Sequence, residues 1–269
     1  MCRVAASGLK TALVPTMGYY HAGHASLISY ARSVADKYRQ PFRQSDAIRP
    51  NEDLKRTRAI LRKTRAGPRA GRDVLYAPEP ENMYAPDHAT WVEVPALANT
   101  LCGLSRPIHF RGVCTVVLKL FMLAQPSLAV FGEKDWQQLA IIKKMVSDLN
   151  VPVEVVGRPI VREADGLALS SRNVYLTPEE RAQAPQIRKS LEMAAGLAAG
   201  GERDAARIIE AVRGYLAEHL PTGEEDYISV VDPAVLTKVD RIEDMALCAL
   251  AIRLGKARLI DNILLKVGE

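Results

Sequence analysis

A chain of 269 residues has room for one or two domains with a well-filled core. Its 48% hydrophobic and 25% charged content is that of an ordinary folded protein, and it holds no run of about eighteen apolar residues that could span a membrane. The net charge of +5 invites a nucleic-acid reading, but 12 Lys/Arg against 3 Asp/Glu fall between positions 37 and 72 (local net +9), leaving the rest at 24 against 28, a net of −4. Basicity confined to one tract without interleaved aromatics is not a strand-stacking surface, so no nucleic-acid partner is expected.

Thr11-Ala12-Leu13-Val14-Pro15 is a short apolar run that reads as a buried strand ending in a turn at Thr16-Met17-Gly18. Val74-Leu75-Tyr76-Ala77, Leu128-Ala129-Val130-Phe131 and Val153-Glu154-Val155-Val156-Gly157 read as further strands. Residues 113–123 and 136–149 have helical spacing; in the second, Leu139, Ile142, Met145 and Val146 share a face. Strands alternating with helices predict an α/β, Rossmann-like, doubly wound parallel sheet over residues 1–160, with ligands at the carboxyl ends of its strands. After about Arg162 the texture changes. Residues 178–199 and 202–220 are long Ala-rich helical stretches separated by Gly200-Gly201. Residues 247–254 and 258–265 flank Gly255-Lys256 as a strand pair, so 161–269 is expected to form a smaller α+β domain. Cys2, Cys102, Cys114 and Cys248 are scattered with no CxxC spacing, which predicts neither zinc site nor disulfide framework. With no long apolar stretch at the start of the chain, a cytoplasmic location is expected.

Three segments carry chemistry. The first is Pro15-Thr16-Met17-Gly18-Tyr19-Tyr20-His21-Ala22-Gly23-His24. Two histidines flank a glycine where a strand has turned into a helix, and a helix N-terminus favours an anion such as a triphosphate. Imidazoles there can hydrogen-bond phosphate oxygens as charge builds during adenylyl transfer. Alone, the segment reads equally well as two surface histidines beside a helix cap. The second is Phe131-Gly132-Glu133-Lys134-Asp135, followed by Gln137-Gln138, again where a strand hands over to a helix. Lys134 could set a fixed charge against a phosphate, with Gln138 facing the same place; alone, Asp135 could simply cap the helix and Lys134 be solvated. The third, from Arg162 through Leu169-Ser170-Ser171-Arg172-Asn173, sets serine hydroxyls beside an arginine, either a polyphosphate clamp or a polar linker.

Taken together and in this order, the three segments resemble the pantothenate synthetases of the class I nucleotidyltransferase superfamily. The resemblance runs over about 13–24 and again from 74 to the end of the chain. Gly103-Leu104-Ser105-Arg106-Pro107-Ile108-His109-Phe110-Arg111-Gly112-Val113 and Leu259-Ile260-Asp261-Asn262 also resemble that family. The resemblance implies an ATP-dependent ligase that activates pantoate as pantoyl-adenylate, releases pyrophosphate, and passes the acyl group to the amine of β-alanine with release of AMP. It implies that Met17, Gly18, His21, Gly23 and His24 lie along ATP, with His24 as proton donor and His21 on the phosphates. Gly132, Glu133, Lys134, Asp135 and Val161 would also contact ATP, Leu169, Ser170, Ser171 and Arg172 would form a mobile clamp, and Gln138 would bond pantoate. Mg²⁺ would accompany the triphosphate, with no metal-binding residue of the protein implied, and the enzyme would be a homodimer. Two other readings stand beside this one: another acid-activating nucleotidyltransferase, and an ATP-binding remnant without an acid site.

The chain departs from the family in three places. It enters almost at the first strand, where about twenty residues usually precede it. Tyr19-Tyr20 replaces the usual Ala-Leu. Between 37 and 72 the family has a second buried strand and a segment resembling Phe-Val-Asn-Pro-Thr-Gln-Phe-Gly, whose Gln contacts both pantoate and β-alanine. Positions 38–49 contain no apolar run, so that strand is expected to be missing, although Pro50-Asn51-Glu52-Asp53 is family-like. Codons compatible with positions 38–50, read one base downstream, give Ile-Val-Ser-Leu followed by Phe-Val-Asn-Pro-Thr-Gln-Phe-Gly. Compensating frameshifts over about 37–72, in the gene or in its sequencing, would account for both the lost motif and the isolated basicity; ordinary divergence or a genuine basic loop is the alternative.

Overall fold

The computed structural model describes residues 10–16, 21–41, 74–76, 78 and 80–268. In chain order these form β1 (Thr11–Leu13), α1 (Ala22–Val34), β2 (Lys37–Pro41), β3 (Val74–Tyr76) and the short helices α2 (Pro80–Met83), α3 (Pro95–Ala98) and α4 (Cys102–Ser105). Then come α5 (His109–Ala124), β4 (Leu128–Gly132), a 3-10 turn (Glu133–Asp135), α6 (Trp136–Asp148), β5 (Glu154–Arg158) and a second 3-10 turn (Ser171–Tyr175). The last are α7 (Pro178–Gln183), α8 (Gln186–Ala199), α9 (Ala205–His219), β6 (Gly223–Val231), β7 (Met245–Leu254) and β8 (Ala257–Lys266). Two compact units divide the chain. One takes Met1–Ala98, Arg106–Glu133 and Ile141–Pro159; the other takes Asn99–Ser105, Lys134–Ala140 and Ile160–Glu269.

The first unit is built on a five-stranded sheet in the order β3-β2-β1-β4-β5, every neighbouring pair parallel. Parallel pairing demands crossovers, and α1 supplies the first: its Leu27 and Ala31, one turn apart, pack on Ala12 and Val14, and on Leu128 and Val130 of β4. β1 and β4 are neighbours, with Ala12 opposite Leu128 and Leu13 opposite Ala129. The strand order reverses between them, so their carboxyl ends flank the point where an open α/β sheet binds ligands.

The expectation of a missing second strand is corrected here. Lys37–Pro41 forms β2, with Thr11 opposite Lys37 on one side and Arg39 opposite Val74 on the other. A ladder is made of main-chain N–H and C=O groups, and side-chain hydrophobicity is only a context-dependent preference. Pro41, which has no N–H to give, comes at the strand's end. Positions 42–49, where the family-like motif is expected, and the rest of the basic tract to Arg72 lie outside the described residues.

The second unit has an antiparallel sheet, β6-β7-β8, with β7 and β8 meeting in a tight turn at Gly255, whose φ of +54° suits glycine. Alternation gives the sheet two faces. Ile228, Val230, Cys248, Leu250, Ile252, Leu259 and Leu265 face one way, into a core with Ile187, Leu191, Ile208 and Val212 of α8 and α9. The helical stretch expected over 178–199 is two helices. Thr177 and Glu180 form a capping box on α7, and Pro185 interrupts the hydrogen-bond ladder before α8 begins. Strand β6 was not anticipated.

Candidate active site

The predicted site residues divide between the two units, and each group has its own local geometry. In the first unit His21 is the N-cap of α1. Its backbone is extended (φ −134°, ψ 174°), and Nδ1 accepts a hydrogen bond from the Gly23 amide at 3.1 Å. An Nδ1 that accepts must keep its lone pair, so the proton of a neutral His21 ring sits on Nε2. The His21 carbonyl accepts from the amides of His24 (2.9 Å) and Ala25 (3.2 Å). That closed turn sets the His21 and His24 rings 4.1 Å apart between centroids, tilted by 42°. The sequence therefore uses one histidine to hold the helix entry and, with the same turn, fixes the second beside it. Met17, Gly18, Tyr19 and Tyr20 lie outside the described residues.

Gly132 ends β4, next to β1 in the same sheet, and Glu133 follows it into the 3-10 turn. A Cβ added at Gly132 would meet nothing within 4 Å. Among the described residues nothing demands glycine here for packing, and a ligand could approach the backbone closely.

In the second unit Lys134 is half-buried, and its Nζ donates to the Leu169 carbonyl at 3.3 Å. Leu169 in turn donates its amide to the Val161 carbonyl at 3.0 Å. Three residues separated by up to 35 positions, each singled out from the sequence, are thus linked in one chain of hydrogen bonds. Lys134 is thus partly covered and bonded to the protein rather than wholly solvated. Asp135 is exposed. Ser170 accepts from the Arg172 amide at 3.2 Å and caps the turn that carries Ser171, Arg172 and Asn173. Asn173 ties that turn down, donating to Glu163 Oε1 (2.8 Å) and to the Ala168 carbonyl (3.2 Å). Arg181 clasps Glu163 and Asp165, each at 2.6 Å. The bond from Arg181, with burial working against it and the charge of Arg181 adding to it, holds the Asp165 carboxyl below its ordinary range.

Gln138 is half-buried in the first turn of α6. Its neighbour Gln137 is the buried one, accepting from the Cys102 amide (3.0 Å) and donating to the Thr100 carbonyl (2.7 Å). That structural role was not foreseen. Nor was that of Asn262, whose Nδ2 donates to the Lys134 carbonyl at 3.1 Å. The available signal was a polar pair, Asp261-Asn262, inside the otherwise apolar run Leu259 to Leu265.

Among the described residues no group of three His, Cys, Asp or Glu side chains gathers as a metal cage, and no helix is long and apolar enough to cross a membrane.

Comparison with known proteins gives a consistent picture. The pantothenate synthetase of Nitratidesulfovibrio vulgaris (strain DSM 19637 / Miyazaki F) is 61% identical over 266 residues, covering 98% of this chain and 94% of that protein. The pantothenate synthetase of Heliobacterium modesticaldum is 46% identical over 265 residues, covering 98% of this chain and 94% of that protein. Among solved structures, that of pantothenate synthetase from Thermus thermophilus superposes with a TM-score of 0.84 at 42% identity, covering 94% of this chain and 92% of that one. A pantoate–β-alanine ligase from Francisella tularensis, solved with βγ-ATP and β-alanine, gives a TM-score of 0.70 at 29% identity over 96% of this chain and 90% of that one. The model of the Pantoate-beta-alanine ligase family matches residues 2–264, and the chain belongs to that family.

Proposed function

We propose that the chain joins pantoate to β-alanine with cleavage of ATP. The pantoate carboxylate attacks the α-phosphorus, the bond to pyrophosphate breaks, and pantoyl-adenylate forms. The amine of β-alanine then attacks the acyl carbon, AMP departs, and the nitrogen loses a proton. The observation that carries the reading is that β1 and β4 are neighbours at the point of reversal, β1 preceding the His21–His24 pair in the chain and β4 ending in Gly132. Family membership supports it, and the alternatives of another acid-activating enzyme or an inert remnant have no comparable support.

In this reading His24 donates a proton toward the leaving pyrophosphate and His21 presents its Nε2 proton to phosphate oxygens. Lys134 supplies fixed charge, Gly132, Glu133 and Asp135 lie along the nucleotide with Val161, and residues 169–172 close over the phosphates. Gln138 hydrogen-bonds pantoate. Mg²⁺ enters as part of the ATP substrate, held largely by phosphate oxygens and water. Catalysis then consists of positioning and stabilisation of developing charge, with no protein nucleophile. The enzyme works as a homodimer in the cytoplasm. Pantoate-dependent exchange of labelled pyrophosphate into ATP, followed by pantothenate formation on adding β-alanine, tests the reading. Exchange that ignores pantoate, or no exchange at all, overturns it.

A further inference from the structure

Strand β8 reaches two of the segments singled out in the second unit, through Asp261 to Arg162 and through Asn262 to Lys134. Along it, residues alternate between the two faces of the sheet. Asp261 pairs in register with Leu250, which lies in the helix-covered core, and Asn262 pairs with Ala249, on the opposite face. The two adjacent side chains are both buried, at 3% and 7% exposure, in the otherwise apolar run Leu259 to Leu265. Buried polar groups at such positions are kept only where partners satisfy them, so their partners report what they do.

Asp261 holds Arg162 in a two-pronged ion pair, at 2.6 and 2.9 Å. Arg162 also donates to the Gly166 carbonyl at 3.1 Å, and its backbone bridges to Ala168. The carboxylate therefore braces the base of the segment that runs from Val161 to Arg172. Asn262, on the other face, donates Nδ2 to the Lys134 carbonyl, and its own amide donates to Asp261 Oδ1 at 2.8 Å. One dipeptide thus fixes the peptide of Lys134 and the root of the clamp segment. The ring is closed at the far side by Lys134 Nζ on the Leu169 carbonyl. A lysine side chain carries large rotamer freedom, and its charge acts on a phosphate only as well as its backbone is placed.

We propose that Asn262 is a positioning residue for ATP, acting through Lys134, with Asp261 registering the clamp segment against the same strand. The idea rests on the ATP role of Lys134 given above. Its consequence is specific: Asn262 matters for ATP only so long as Lys134 is a lysine.

The test is a double-mutant cycle read by ATP affinity in calorimetry, on the full chain with Mg²⁺ present. Asn262→Asp keeps the shape but replaces the donor with an acceptor facing a carbonyl, and should weaken ATP binding about tenfold, the scale of one well-placed hydrogen bond. Lys134→Met should weaken it further, and adding Asn262→Asp to Lys134→Met should change nothing more. Asn262→Ser removes the contact without adding charge and carries the same test should the aspartate variant fold poorly. An unchanged affinity in the Asn262 variants, or an equal loss with and without Lys134, sinks the inference while leaving the ligase reading intact, whereas an unchanged affinity in Lys134→Met removes the ATP role of Lys134 itself. A wild-type chain that binds no ATP removes both.

Discussion

Gly132 separates packing from ligand contact at a single position. Its φ lies outside the left-handed region, and an added methyl meets no neighbour within 4 Å, so Gly132→Ala should leave the melting temperature within about 1–2 °C of wild type. If the backbone there runs along ATP, the same methyl intrudes on the nucleotide, and the KM for ATP should rise about tenfold. A variant unchanged in both would place ATP elsewhere. Asp226 makes the complementary case, where stability is at stake. Its side chain is 11% exposed and receives Arg258 Nε and Nη2 (2.9 and 2.6 Å), Arg253 (3.1 Å) and Ser105 (3.2 Å). Burial alone would raise its pKa, but the bonds and charge of Arg258, with Arg253 and Ser105, outweigh it and hold the carboxyl below the ordinary range. A depressed folded pKa contributes stability that is complete above the unfolded value of about 3.9 and is lost as the pH falls through the folded value. Asp226→Asn leaves the half-buried Arg258 without its counter-charge and should cost about 1.5–3 kcal/mol at pH 7. It should also flatten the loss of stability below about pH 4, measured by urea unfolding at a series of pH values. An acid limb as steep as that of wild type would show that Asp226 is not the group titrating there.

At the scale of elements, β2 has the topology of a central strand and the sequence of an edge. It lies between β1 and β3 in a parallel sheet, a setting in which strands normally read as continuous Val, Ile and Leu. Installing the sequence recovered from the adjacent reading frame, Tyr38→Ile, Arg39→Val, Gln40→Ser and Pro41→Leu with Phe-Val-Asn-Pro-Thr-Gln-Phe-Gly at 42–49, should raise the melting temperature and lower the KM for pantoate. Aliphatic residues suit a strand paired on both sides in a parallel sheet better than Arg, Gln and Pro do, and the restored glutamine supplies the acid's expected partner. A replacement chain that is no more stable and no better at using pantoate would establish the present tract as an adapted segment. Elements with a strong apolar period, such as α5, β4 and α6, were legible because burial and periodicity agree in them. β2 was not, because pairing of its backbone with β1 and β3 overrides a polar side-chain pattern. The split at Pro185 was legible in principle from proline's missing donor, but the Ala-rich flanks hide it.

For the whole molecule, the local motifs were visible because each compresses its chemistry into a few consecutive residues. What could not be read was the wiring between distant ones: Lys134 to Leu169, Arg162 to Asp261, Asn262 back to Lys134. Those links depend on how strands register across a sheet, which no window of sequence contains. They also bear on stability, since a ligand that binds only the folded chain stabilises it by mass action. At a hundredfold excess over its Kd, ATP with Mg²⁺ should add about 2.7 kcal/mol, a rise of roughly 5–10 °C for a chain of this size. Lys134→Met should lose most of that rise at the same ATP concentration, because its Kd climbs while the free protein keeps its core. Pantoate alone probes the other half of the reaction. A rise with both ligands is expected of a working ligase. A rise with ATP and none with saturating pantoate would trace the deficit to the acid side, where the family's glutamine is absent from this chain, and the replaced 38–49 chain should then recover the pantoate shift. A chain that gains nothing from ATP would remove the nucleotide reading of His21, His24 and Lys134 together.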